Sequence, residues 1–442
     1  MKQPTRSSRV PAAVRLSYPV SYFGISVVDR VVATWAMYYY LPPEGRGLPS
    51  LVPPVVFGFV LVFGRLVDAV ADPLVSAWTD RCRSRRGRRV PFLLAGGAPL
   101  ALSLVLLFHP PHPRVSAANA LYLALVLGMF FFFFTLYVCP YLALIPELGK
   151  TPAERINITT SQAAFMLAGV ATAFIASGVL IENFGFRTMA WVMAAAAALA
   201  FYAPLAALNE KKHCASLPSS MSMFASLRAT ISNRPFLVYL CGTLSFWFGF
   251  NIVTQGVSYY LTVLMNLPEG GMATLMALNM GVALASFPAV NLLSRRLGKR
   301  AVMLVCLALF SILLPMIYLI GHPANPLDPR AFGYTVIALA GIPLAALFVV
   351  PNAIVADLTD FDEKLTGERR ESMYFGAQGL FLKLVLGGSS LVMSLMFNSF
   401  GYAAAAPLGV RLTGPAAAAF AAAGFIAFLA YPESKIRRAI ST

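Results

Sequence analysis

LVPPVVFGFVLVFGRLVDAVADPLVSAWTD, residues 51–80, is apolar almost throughout and yet holds two aspartates, Asp68 and Asp72. About 20 apolar residues suffice for a helix to span a bilayer, so the stretch reads as a membrane helix. The four-residue spacing sets both carboxylates on one helix face, a turn apart. Charged side chains at that depth cost about 2.5 to 3.5 kcal/mol each on insertion scales, so they face a partner or a watery cavity. The span ends in the basic run RCRSRRGRR, residues 81–89. The pattern implies a transmembrane helix with a cation site built into it.

The rest of the chain has the same character. Hydrophobic residues make up 58% and charged residues 12%, with a mean hydropathy of +0.73, more apolar surface than one soluble core can hide. Twelve spans are expected, starting near Val20, Leu51, Pro91, Ala120, Ile158, Met189, Phe236, Met272, Ala301, Tyr334, Tyr374 and Pro415.

A formal net charge of +16 could suggest nucleic acid, but its distribution points to a membrane instead. Lys and Arg collect in alternate loops: the N-terminal tail, Arg81 to Arg89, Lys211 and Lys212, Arg295 to Arg300, Lys364 with Arg369 and Arg370, then Arg437 and Arg438. The intervening loops hold only Arg46, Arg114, Arg187, Arg330 and Arg411. This bias puts both termini and the central loop in the cytoplasm. The expected setting is a bacterial inner membrane, with the lipid bilayer and a small organic substrate as partners, no nucleic acid, and a monomer.

The first sixteen residues are polar and basic, and the apolar run after them is long enough to remain a helix, so no cleavable signal is expected. The cysteines, Cys82, Cys139, Cys214, Cys241 and Cys306, fall in spans or on the cytoplasmic side without CxxC spacing, which argues against disulfides and zinc. His109, His112, His213 and His322 read as solvated loop residues. No nucleophile, base or metal constellation accompanies the carboxylate pair, so no enzyme is expected.

A polar stretch, residues 209–234, divides the chain into halves, 1–208 and 235–442. SRRGRRVPFLL, residues 84–94, follows span two, and SRRLGKRAVML, residues 294–304, follows span eight. A basic loop at the same point of each half suggests two pseudo-symmetric six-helix bundles in an all-α membrane protein, the arrangement of the major facilitator fold.

Several motifs together resemble the glycoside-pentoside-hexuronide cation symporters. They are Met37-Tyr-Tyr-Tyr40, Arg65-Leu-Val-Asp68-Ala-Val-Ala-Asp72-Pro73, Asp80-Arg81, Gly87-Arg-Arg89, Pro91-Phe92, Pro146-Glu-Leu148 with Glu154-Arg155, and Asp357 through Thr366-Gly-Glu-Arg-Arg-Glu371 to Lys383. The resemblance implies alternating-access symport, in which Asp68, Asp72 and Thr135 hold the coupling cation while Lys383 and Arg65 neutralise the carboxylates when it is absent. No cofactor is implied beyond that ion, which is sodium, lithium or a proton. A static buried ion-pair network between helices is the plainer reading of the same charges. The family pattern often places an asparagine just before the second aspartate. Here that residue is Ala71, and loss of an oxygen ligand weighs more against sodium than against a proton.

The substrate positions depart further. Sugar-binding members carry an aspartate on span one, an aspartate on span four and an arginine on span five, and the matching positions here are Ser26, Val138 and Gln162. Asp29, three residues beyond Ser26, is either a shifted substrate ligand or, with Arg30, a pair to other spans. On span seven, Asn251, Gln255, Ser258 and Tyr259 recur at helical spacing, a polar stripe that either touches substrate or bonds helix to helix. The phenylalanines of Met129-Phe-Phe-Phe-Phe-Phe134 face mostly lipid. Asp80, Arg81, Arg88, Arg89, Asp357, Asp360 and Glu371 form an expected cytoplasmic gate whose ion pairs favour the outward-facing state. The substrate is expected to be a sugar or glycoside. A lysophospholipid-like amphipath and a non-transporting scaffold or sensor stay open.

Overall fold

In a bilayer every backbone N–H and C=O must be satisfied within the segment, which leaves the helix as the form these apolar runs can take. The computed structural model describes residues 11–149, 151–214, 233–366 and 371–441, and the helices among them follow the apolar runs. In order the longer ones are α1 (Ala12–Tyr40), α2 (Pro54–Arg81), α3 (Val90–Leu107), α4 (Ala117–Ala143), α5 (Pro152–Tyr202), α6 (Arg234–Tyr259), α7 (Gly271–Leu297), α8 (Lys299–Leu313), α9 (Pro329–Leu339), α10 (Gly341–Thr366), α11 (Glu371–Phe400), α12 (Leu408–Leu429) and α13 (Glu433–Ser441), with single-turn helices at Ile145–Leu148 and Glu210–His213.

Local chemistry sets several of their starts. Thr151 opens α5 with a capping box, its hydroxyl accepting the Glu154 N–H while the Glu154 carboxylate accepts the Thr151 N–H. Asn233 caps α6 by accepting the Phe236 N–H at 3.3 Å, and Asp328 caps α9 by accepting the Ala331 N–H at 2.9 Å.

Ten described helices are long and apolar enough to cross a membrane. One of them runs through Gly185, whose φ of +80° breaks the helical path between residues 152–184 and 186–202, so it holds two spans. With α1 added, twelve spans fit. Their outward faces are apolar: Leu199 is 77% exposed, Ile426 66% and Phe184 65%, as lipid contact requires. The chain is a multi-pass integral membrane protein.

Two compact units result. The first holds residues 1–32, 67–110 and 122–220, and the second holds 33–66, 111–121 and 221–442. In the first, α3 packs on the end of α5, and Gly24 of α1 lies so close to α5 that a Cβ would sit 2.8 Å from the Ala197 carbonyl oxygen. In the second, α12 packs on α6 and α8, and a Cβ at Gly249 would sit 2.6 Å from the Ala417 carbonyl oxygen. Such small-residue contacts replace the hydrophobic drive that lipid removes.

The second unit also takes in the end of α1 and the start of α2. Tyr38 donates to Glu269 at 2.8 Å, and Tyr259 donates to the Leu41 carbonyl at 2.8 Å. Arg46 donates to the carbonyl of Thr262, inside a π-helical turn, Tyr260–Leu264, that closes α6.

Candidate functional site

The carboxylate pair of α2 meets α4 inside the first unit, and the two helices meet as a ladder. Thr135 Oγ1 donates to Asp68 Oδ1 at 2.6 Å, and one turn further along both helices Cys139 Sγ donates to Asp72 Oδ1 at 3.4 Å. Asp68 is 1% exposed and Thr135 2%, whereas Asp72 and Cys139 are half-buried. Both pairs follow from the same i, i+4 spacing on facing helices. The structure therefore brings together Asp68 and Thr135, and adds a residue that the sequence reading did not assign, Cys139. Its signal was present: Cys139 stands four residues after Thr135, as Asp72 stands four after Asp68.

Arg65 and Lys383 are both in the second unit. A Cβ at Gly387 of α11 would lie 3.3 Å from Arg65 Cβ, and Lys383, half-buried, stands one turn before Gly387 on the same helix. The two cations thus belong to one patch of α2 and α11.

The positions matched to sugar ligands are engaged within the protein. Gln162 is buried and its Nε2 donates to Tyr141 Oη at 2.7 Å, while Tyr141 donates to the Tyr18 carbonyl at 3.1 Å. The Tyr18 and Tyr141 rings stack at 4.6 Å. Ser26, also buried, abuts Gly169 of α5, where a Cβ would lie 2.9 Å from Ser26 Cβ. Val138 is half-buried on α4. Asp29 pairs with its neighbour Arg30, whose Nε donates at 2.8 Å, both partly exposed.

The polar stripe of α6 bonds to α11. Asn251 Nδ2 donates to Ser389 Oγ at 2.8 Å and Gln255 Nε2 donates to Ser390 Oγ at 2.8 Å, and Tyr259 is spent on Leu41 as described above. Of the two meanings the stripe allowed, these contacts are helix-to-helix bonds.

The expected gate residues cluster at the basic-loop end of each unit. Arg88 and Arg89 converge on buried Glu147, with nitrogen–oxygen distances of 2.9 and 3.2 Å. Asp80 and Arg88 line a cavity of about 630 Å³ together with Glu147 and Glu210. Glu210 accepts the backbone N–H groups of Arg88, Arg89 and Val90 at 2.8 to 2.9 Å, capping α3. In the second unit Lys299 pairs with Asp357 at 2.6 Å. Arg81 and Asp360 are exposed, and the Glu371 side chain lies outside the described residues.

Comparison with known proteins agrees with this architecture. The family described as MFS/sugar transport protein matches residues 17–430. An uncharacterized symporter of Synechocystis sp. is 22% identical, with 92% of this chain and 89% of that protein covered. The isoprimeverose transporter of Lactiplantibacillus pentosus is 23% identical, with 89% and 82% covered. Among solved structures, the nucleoside transporter NupG superposes with a TM-score of 0.68 at 12% identity, covering 95% of this chain and 98% of that one. A bacterial homolog of the human lysosomal transporter Spinster gives 0.68 at 14% identity, covering 98% of each.

Proposed function

The chain belongs to the MFS/sugar transport protein family, and on that premise we propose that it carries a sugar or glycoside together with a monovalent cation, sodium or proton, by alternating access. It is a transporter of the major facilitator type and not an enzyme. The observation that carries the coupling is the ladder of Asp68, Asp72, Thr135 and Cys139. A carboxylate pair inside a membrane span is functional by default, and two like charges one turn apart raise the affinity of that face for a cation. The names of relatives, an isoprimeverose transporter and a glucuronide carrier protein homolog of Escherichia coli, support a glycoside as cargo.

Coupling requires the cation to bind one conformer better than the other, since an ion with equal affinity for both shifts nothing. In this mechanism the loaded pair no longer needs Lys383 and Arg65 as counterions. Loading of the pair thereby favours the substrate-binding conformer. The positive-inside bias supports a cytoplasmic position for both termini, and the bacterial relatives support a bacterial inner membrane.

A second reading is favoured by one specific finding. Ser26, Val138 and Gln162 stand where sugar-binding members carry ionic groups, and Gln162 is bonded to Tyr141 while Ser26 packs on Gly169, so these positions offer no charge to grip hydroxyls, which favours an amphipathic, lysolipid-like cargo. Counterflow in proteoliposomes separates the readings. Labelled isoprimeverose, a glucuronide and a lysophosphatidylcholine are each tested for exchange. Exchange of a glycoside supports the first reading, exchange of the lysolipid alone replaces it with the second, and exchange of none across a broad panel supports a scaffold or sensor.

A further inference from the structure

We propose that Cys139 closes the carboxylate ladder to sodium and lithium ions. The inference rests on the reading of Asp68 and Asp72 as the coupling site and names its ion specificity.

The two rungs are alike in geometry and unlike in chemistry. Thr135 offers a hydroxyl oxygen, which donates to Asp68 and keeps lone pairs for an ion. At the equivalent place beside Asp72 stands a thiol. Small alkali ions resemble the hard divalent cations in preferring oxygen, and neutral sulfur is a weak acceptor of the wrong softness. Between the rungs on α2, Ala71 adds no side-chain oxygen. The helix-internal prolines, Pro73 and Pro140, remove the helical donors to the carbonyls of Ala69 and Leu136. Those residues stand about 100° round their helices from Asp68 and Thr135 and about 60° from Asp72 and Cys139, so neither stands between the two rungs. An alkali ion between the carboxylates would therefore meet sulfur where an oxygen should complete its shell. A proton, which needs one oxygen and no shell, meets no such mismatch.

The test uses the purified full chain in detergent, with sodium chloride or choline chloride as the only variable, and reads radiolabelled sodium binding and melting temperature. The wild type should show no sodium-specific response. Cys139→Ser, which supplies the missing oxygen, should bind sodium and gain about 3 °C or more at about 100 mM sodium. Cys139→Ala should gain nothing, and Asp72→Asn in the serine background should erase the gain. Cys139→Thr supplies the same oxygen if the serine variant folds poorly.

Sodium binding by the wild type that Asp72→Asn abolishes would overturn the inference and leave the pair as the coupling site. Sodium binding indifferent to Asp72→Asn would overturn both. Absence of any gain in folded oxygen-bearing variants would remove Cys139 as the determinant.

Discussion

At the basic-loop end, the two halves of the sequence carry the same device at different depths. Each has a glycine in the left-handed region, Gly87 at φ +113° and Gly298 at φ +91°. Each has a carboxylate from a short helix after the last span of its half, Glu210 or Glu433, that accepts backbone N–H groups at the start of α3 or α8. Beside each glycine a basic side chain reaches a carbonyl and an acid four residues beyond it. Arg89 holds Ala143 and Glu147, and Lys299 holds Ala353 and Asp357. This correspondence supports a duplicated six-helix plan more firmly than two basic loops could.

The difference lies in burial. Glu147 is 2% exposed and pairs with two arginines, themselves 26% and 12% exposed, whereas Lys299 and Asp357 are 26% and 34% exposed and form one ion pair with each other. Charge pairs out of water are costly to break, and pairs in partial contact with water are weak. The first copy is an anchor, and the second is a contact that can open at little cost.

Thermal unfolding in detergent can break this comparison, starting with the caps. Glu210→Ala strands three backbone N–H groups and should cost about 4 kcal/mol, against about 2 for Glu433→Ala, which strands two. Equal losses would show that the caps do not set the stability of the two ends. Next, Glu147→Gln leaves two arginines short of their charge and should cost about 3 kcal/mol. Asp357→Asn should cost about 1 kcal/mol or less. A larger loss at position 357 would reverse the ranking of anchor and contact.

Glycine substitutions sharpen the same point with a smaller effect. A Cβ at Gly87 would lie 2.2 Å from Glu210 Oε2, and at Gly298 2.9 Å from Glu433 Oε1. Gly87→Ala should cost about 2 kcal/mol and Gly298→Ala somewhat less, since both carry left-handed strain and both press on their cap, the first by a much closer contact. The Gly87→Ala and Glu210→Ala losses should not add, because each breaks the same contact.

The spans were legible because apolar runs in a bilayer have one way to fold, and the shared face of Asp68 and Asp72 because residues four apart lie on one side of a helix, whereas Thr135 was placed beside them only by the family resemblance. The thiol rung was equally periodic, but nothing in a lone cysteine marks it as facing a carboxylate until α2 and α4 are side by side. Glu210 and Glu147 were not legible as caps and anchors, because their partners are more than fifty residues away and backbone N–H groups leave no trace in sequence. The α6 stripe left two meanings open, and only the placement of Ser389 and Ser390 on α11 shows where its donors go. Gly185 falls where the sequence already separates the spans that start near Ile158 and Met189; what the sequence did not show is that the helix runs on through it, with a positive φ there breaking the helical path.

The central claim is that gradient-driven uptake depends on the Asp68 and Asp72 pair, while carriage of substrate as such does not. The direct measurement compares exchange with concentrative accumulation in proteoliposomes, for the wild type and Asp72→Asn, using whichever cargo of the panel gives counterflow. The account predicts exchange close to wild type and accumulation at background in the variant. Full accumulation against a gradient by Asp72→Asn, at matched protein content, would contradict it.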